Sequence, residues 1–255
     1  MMILVMDVGN TQTTVGLYDK KNLIYHWRLT TARHRTMDEW GAVLQSLFHF
    51  NNISTQEVSG VAICSVVPPA DVQLRAMIGR YFNREPLFVA PGVKTGLKIH
   101  YDNPAEVGAD RVVNAVAACA KYETPAIVVD LGTATTFDML GDGCGYLGGV
   151  IAPGLGISAE ALFERTAKLP KVEIIKPPRV IGRSTVCSMQ SGLFWGYIGL
   201  MEGVLKRMKR EFGEVKTVVA TGGLASAIAP ECKSIQVVDE DLTLEGLRII
   251  YEKNT

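Results

Sequence analysis

The chain has no net charge, no closely spaced cysteines and no apolar run long enough to cross a bilayer, and each absence removes a class of function. Lys+Arg and Asp+Glu stand at 26 each, so no overall field draws the protein to nucleic acid or to an anionic membrane. Its five cysteines (Cys64, Cys119, Cys144, Cys187 and Cys232) are scattered, without a Cys-x-x-Cys pair. That argues against a zinc site or a disulfide framework and suits a reducing cytosol. No apolar stretch approaches the roughly 20 residues of a membrane-spanning helix. The start Met-Met-Ile-Leu-Val-Met lacks a basic leader and runs directly into Asp7, so a first strand is expected rather than a signal peptide, and a cytoplasmic location with it. With 47% hydrophobic residues among 255, the chain can bury one large core or two modest ones.

What is present is a near repetition. Met6-Asp7-Val8-Gly9-Asn10-Thr11-Gln12-Thr13-Thr14 and Val129-Asp130-Leu131-Gly132-Thr133-Ala134-Thr135-Thr136 lie about half a chain apart. Each has an apolar strand ending in Asp, then a turn rich in Gly and hydroxyls. Such a turn offers backbone N–H groups and hydroxyls to phosphate oxygens, while the Asp holds a cation. One Asp-x-Gly turn alone reads as a tight hairpin; two at this spacing, both ending in Thr-Thr, point to a nucleotide phosphate held between two lobes.

The elements alternate. Strands are expected at 2–6, 14–19 and 23–29, then a helix at 37–50 behind Thr36 and Asp38, with Trp40, Val43, Leu44, Leu47 and Phe48 at helical spacing. A strand at 61–64, a helix at 70–82 and a strand at 87–89 precede a loop-rich stretch, 91–107, and a helix at 108–121. The second copy repeats the theme, with strands at 126–130, 134–140 and 146–152 and helices near 157–165 and 185–212. Strands at 217–220 and 237–238 and a last helix at 241–252 close it. This predicts an α/β fold of two similar lobes, each a mixed sheet with flanking helices, divided as 1–115 and 116–255.

Other motifs are weaker. Gly92-Val93-Lys94-Thr95 lacks the glycines of a P-loop. Gly154-Leu155-Gly156-Ile157-Ser158-Ala159 follows Pro153 and a strand that does not open a βαβ unit; a turn aiming a helix N-terminus at phosphate fits it better than a dinucleotide fingerprint. Thr221-Gly222-Gly223 reads as a helix-entry turn or a platform for a purine or ribose. Gly108-Ala109-Asp110-Arg111 reads in two ways. It is a helix start with an N-terminal acid and an exposed Arg, or an acid placed to take a hydroxyl proton beside an Arg for an anionic group. Gly192, Gly196, Gly199 and Gly203 form one stripe down the 185–212 helix. Such a stripe packs on the chain's own sheet or on a second copy; Phe194, Trp195 and Tyr197 on other faces favour the second copy.

The sequence resembles the type III pantothenate kinases of the actin-like ATPase and sugar kinase superfamily, a duplicated ribonuclease H-like fold. The resemblance spans nearly the whole chain. It rests on Asp7-x-Gly9-Asn10-Thr11, on Tyr101-Asp-Asn-Pro-x-Glu-Val-Gly108-Ala109-Asp110-Arg111, and on Asp130-x-Gly132-Thr133-Ala134-Thr135-Thr136. Gly148-Gly149-x-Ile-x-Pro153-Gly154, Thr185-x-x-Ser188-Met189-Gln190-Ser191-Gly192 and Thr221-Gly222-Gly223 complete it. It implies transfer of the ATP γ-phosphoryl group to pantothenate, the first step of coenzyme A synthesis. It also implies Asp110 as general base, and Tyr101, Gly108, Ala109, Arg111 and Thr185 around pantothenate, Thr185 from the partner of a homodimer. Asp7, Val8, Gly9, Asn10, Thr11, Gln12, Thr13, Thr14 and Thr133 would hold ATP with its Mg²⁺, and Asp130 a monovalent cation, K⁺ or NH₄⁺. A catalytically silent nucleotide-binding regulator on the same fold is an alternative that intact Asp7, Asp110 and Asp130 oppose; a phosphohydrolase or sugar kinase is another.

Overall fold

Strand β1 (Met2–Val8) is apolar on both sides, and that decides the layering of the first unit. Successive side chains of a strand point to opposite faces. Leu4, Met6 and Val8 meet α1 (Met37–Phe50) and α2 (Pro68–Phe82) through Trp40, Leu44, Phe48, Leu74 and Met77. Ile3 and Val5 meet α3 (Ala109–Lys121) and α7 (Leu242–Asn254) through Val113, Val116, Leu244, Leu247 and Ile250. The computed structural model describes residues 2–255, so the first residue of the expected 1–115 lobe lies outside the described residues. Strands β2 (Gln12–Asp19) and β3 (Asn22–Thr30) extend β1 antiparallel, while β4 (Val58–Ser65) and β5 (Leu87–Phe88) add parallel, giving the order β3-β2-β1-β4-β5. Helix α1 opens with a reciprocal cap: Thr36 accepts from the Glu39 N–H, and the Glu39 carboxylate accepts from the Thr36 N–H at 2.8 Å.

The second unit repeats this plan. Strand β8 (Ala134–Leu140) runs antiparallel to both of its neighbours, β7 (Ala126–Leu131) and β9 (Gly145–Pro153), and β10 (Thr217–Thr221) and β11 (Val237–Val238) lie parallel to β7. The order is β11-β10-β7-β8-β9-β6, where β6 (Lys98–Ile99) is a two-residue strand set parallel to β9. Strand β6 falls inside the expected 91–107 loop; two residues leave no periodicity to read. Helices α4 (Leu155–Glu164), α5 (Thr185–Phe212) and α6 (Ala225–Ile228) flank this sheet. Leu193, Phe194, Tyr197, Met201 and Leu205 of α5 pack on Ile127, Val129, Phe137 and Val218. Among the described residues no helix is long and apolar enough to cross a membrane.

The two units comprise Met1–Leu97, Asn103–Ala117 and Asp241–Thr255, and Lys98–Asp102 with Ala118–Glu240. Apart from the short excursion at Lys98–Asp102, the chain leaves the first unit inside α3 and returns to it with α7, which lies within the span 116–255. Close backbone approach seats α7 there: a methyl group on Gly246 would lie 2.1 Å from the Val113 carbonyl oxygen. An amphipathic helix announces its apolar face in sequence, but not which sheet the face will cover.

Candidate active site

In the first unit β1 and β2 join through Gly9, Asn10 and Thr11, and the Gly9 N–H donates to the Gln12 carbonyl at 3.0 Å. Register places Asp7 opposite Thr14 in β2 and beside Cys64 in β4. Asn10, Thr11 and Gln12 are exposed, whereas Val8 and Thr13 are buried. Thr13 shares a 2.8 Å hydrogen bond with the Thr31 hydroxyl, and the Thr31 N–H donates to the Thr11 carbonyl at 3.0 Å. The segment after β3 thus braces the turn from behind. Arg33, which the motifs do not include, donates to the Asn10 side chain at 3.4 Å. The turn presents main-chain groups and the side chains of Asn10, Thr11 and Gln12 outward, as a phosphate cradle requires.

The same unit carries the Asp110 segment. Asn103 caps a short turn at Pro104–Glu106, and the Gly108 carbonyl accepts the Val112 N–H at 3.1 Å to start α3. The Asp110 carboxylate turns back to accept the Arg111 N–H at 2.8 Å. Gly108 makes room for this, because a methyl group there would lie 2.5 Å from Asp110 Oδ1. Arg111 is only 6% exposed. This overturns the exposed-arginine reading of the helix start: a buried guanidinium requires compensation that a solvated face does not.

In the second unit β7 and β8 join through Gly132 and Thr133 alone, one residue fewer than the first turn, with the Gly132 N–H donating to the Ala134 carbonyl at 3.1 Å. Asp130 sits between Thr136 of β8 and Thr221 of β10 in register. Two glycines press on this point. A methyl group on Gly222, whose φ is +94°, would stand 2.5 Å from Asp130 Oδ1. One on Gly154 would stand 2.1 Å from the Thr133 carbonyl oxygen, which accepts the Gly154 N–H at 3.1 Å. Gly154 is the N-cap of α4 and carries no side-chain cap, so the helix brings its unsatisfied N–H groups to the edge of the turn. Thr133 is exposed there, and the Thr221 hydroxyl is buried without a protein partner. A carboxylate beside an unpartnered buried hydroxyl, with glycine held close, fits an oxygen-liganded cation, so Asp130 and Thr221 would hold it.

Tyr101 and Thr185 also belong to the second unit. The Tyr101 ring is half-buried, 6.2 Å from that of Tyr146, and Gly148 at φ +112° backs onto it. Thr185 opens α5 behind Ser184, whose side chain accepts the Cys187 N–H, and it is exposed. It lines a cavity of about 710 Å³ with Leu162, Leu169, Arg183, Ser188 and Met189. Gly192, Gly196 and Gly199 are exposed with no atom within 4 Å of an added methyl group, so the stripe does not pack on the chain's own sheet. Phe194 and Tyr197 do, against the expectation that they would serve a second contact. Tyr197 also bonds the Thr135 hydroxyl, and burial raises its phenol pKa. Sequence reasoning assigned no role to Asp138, a fully buried carboxylate bonded to Thr136 and Tyr146. An acid between Phe137 and Met139 in an apolar strand is the signal that could have marked it.

Two sheets that share a five-strand order, each with an Asp near the end of its first strand and a turn bearing Gly and Thr after it, define the fold of actin-like ATPases and sugar kinases. Solved structures similar across the chain share it. One is an activator of 2-hydroxyisocaproyl-CoA dehydratase from Clostridium difficile with bound ADPNP, at 13% identity and TM-score 0.55, covering 98% of this chain and 94% of that one. Another is a polyphosphate/ATP-glucomannokinase from an Arthrobacter species, at 16% identity and TM-score 0.53, covering 99% of each. A type III pantothenate kinase from an Exiguobacterium species is 54% identical over 253 residues, 99% of either chain. The family profile for type III pantothenate kinases matches residues 3–207, and the chain belongs to that family.

Proposed function

We propose that the protein transfers the γ-phosphoryl group of ATP to the primary hydroxyl of pantothenate, the first step of coenzyme A synthesis, in the cytoplasm. The observation that carries this reading is family membership along the chain together with an Asp110 carboxylate folded beside a buried Arg111. Phosphoryl transfer asks for alignment and charge neutralisation more than for covalent help. Asp7 to Thr14 and Thr133 hold the ATP phosphates through main-chain N–H groups and hydroxyls. Asp130 would hold a monovalent cation and ATP would carry Mg²⁺, and the two ions would supply positive charge to the phosphates. Asp110 takes the proton of the pantothenate hydroxyl as its oxygen bonds to the γ-phosphorus and ADP departs. Arg111 pairs with the pantothenate carboxylate, and Tyr101, Gly108, Ala109 and Thr185 surround the rest of that substrate. A product assay with ATP and pantothenate, against water and sugars as acceptors, tests the reading; ADP released equally without pantothenate would refute it.

Two further expectations belong to this reading. Activity is expected to require K⁺ or NH₄⁺ and to fall when Na⁺ replaces them, because Asp130 has the Thr221 hydroxyl beside it in the adjacent parallel strand where Asp7 has the Cys64 thiol. Equal rates in Na⁺ and K⁺ would remove the cation from Asp130. The protein is also a homodimer through α5. Four glycines cost the helix up to about 1 kcal/mol each relative to Ala, and three of them face open space in the single chain. A second helix pressed to that stripe offsets the cost and brings Thr185 into the partner's substrate site. Gly196→Leu is expected to yield monomer by light scattering with little activity. A folded, dimeric and active variant would place the seam elsewhere.

A further inference from the structure

Asp138 lies mid-strand in β8 and is fully buried. Burying a carboxylate is costly unless hydrogen bonds satisfy it, and an apolar residue would serve a strand core without that cost. Its two oxygens are divided between two neighbours. Oδ1 accepts the Tyr146 hydroxyl at 2.7 Å, and Oδ2 accepts the Thr136 hydroxyl at 3.1 Å. Each neighbour leads to a different residue of the candidate site. Thr136 is paired with Asp130 across β7 and β8. Tyr146 holds Tyr101 twice: its ring leans on the Tyr101 ring at 6.2 Å and 52°, and its carbonyl accepts the N–H of His100, the preceding residue, at 2.8 Å. One carboxylate therefore joins the strand pair that carries Asp130 to the ring that sets Tyr101.

We infer that Asp138 is a positioning residue that couples cation binding at Asp130 to pantothenate binding at Tyr101. The inference rests on the roles proposed for those two residues. Hydrogen bonds that share one buried carboxyl group reinforce one another, so Asp138 fixes both neighbours. Coupling between two binding equilibria is reciprocal: K⁺ tightens pantothenate, and pantothenate tightens K⁺.

The test is steady-state kinetics of the full chain at several K⁺ concentrations, with thermal melting alongside. In the wild type the pantothenate KM is expected to fall as K⁺ rises; a KM independent of K⁺ would overturn the coupling. Tyr146→Phe keeps the ring and loses the hydroxyl; the pantothenate KM is expected to rise about tenfold, with kcat and the ATP KM within about twofold. Thr136→Val is expected to raise the half-saturating K⁺ about fivefold. Asp138→Asn does both and flattens the dependence of the pantothenate KM on K⁺. If Asp138→Asn does not fold, the two hydroxyl deletions decide. A lowered melting temperature with unchanged KM and K⁺ requirement in those two variants would reduce Asp138 to a structural group. Tyr101→Ala separates the layers. If it leaves the pantothenate KM unchanged, the role of Tyr101 falls and the inference with it. If it raises the KM while Tyr146→Phe does not, only the inference falls.

Discussion

Asp110→Asn is expected to lower kcat by about 10²–10⁴-fold, the usual worth of a positioned general base, while pantothenate still binds. The geometry allows this separation. The Asp110 oxygen that accepts the Arg111 N–H at 2.8 Å can be matched by the amide oxygen of Asn, and Gly108 leaves the same room for either side chain. Helix α3 keeps its start through the Gly108 carbonyl and Val112 N–H. What Asn lacks is the basic oxygen that the proposed mechanism assigns to the hydroxyl proton. Loss of the N-terminal negative charge on α3 costs about 0.3–1 kcal/mol of stability, far less than the kinetic effect. The measurement is kcat and pantothenate KM with binding of pantothenate by calorimetry. A purified Asp110→Asn protein with near-normal kcat would leave Asp110 as a helix-start acid only.

The second large effect is expected at Gly154, which abuts the Gly132-Thr133 turn proposed to hold ATP. A methyl group added there would lie 2.1 Å from the Thr133 carbonyl oxygen and 2.6 Å from that of Gly132, both backbone atoms with no side-chain freedom to give way. Gly154→Ala must therefore push the start of α4 away from the turn that presents Thr133. Overpacking of this kind costs about 1–3 kcal/mol of stability, and a displacement near 1 Å in a catalytic constellation can lower the rate by about 100-fold. Gly156, two residues further on and the second residue of α4, is the control: no atom lies within 4 Å of its added methyl group. Gly156→Ala should leave the rate unchanged and gain up to about 1 kcal/mol from helix propensity. Melting curves and ATP kinetics of the two variants give the comparison. A Gly154→Ala enzyme with wild-type ATP kinetics would show that close approach of α4 to this turn is dispensable.

Sequence by itself determined the repeated Asp-x-Gly turns, the alternation of strands and helices in two lobes, and individual elements. Strand 134–140 and helix 185–212 fall where periodicity placed them, as β8 and α5. These are short-range properties: an apolar stripe, a Thr36–Glu39 cap and a glycine turn are set by residues a few positions apart. The candidate residues were likewise legible as motifs, because each stands in a contiguous segment.

Tertiary structure decided what depends on partners distant in the chain. Helix α7 ends on the first unit because Val5 and Val113 offer the apolar surface that Leu244 and Leu247 must cover. Strand β6 exists only because β9 supplies its hydrogen-bond partners. Arg111 is buried, although its place in a first helical turn reads equally as solvent-exposed. Gly192, Gly196 and Gly199 of α5 open to solvent while Phe194 and Tyr197 turn inward, a choice of face that spacing alone leaves undetermined. Asp138 joins Thr136 of its own strand and Tyr146, eight residues further on in β9, through its two oxygens only in the folded sheet. Apolar pattern specifies that a face will be buried; the identity of what covers it, and of what satisfies a buried charge, is a property of the assembled sheets.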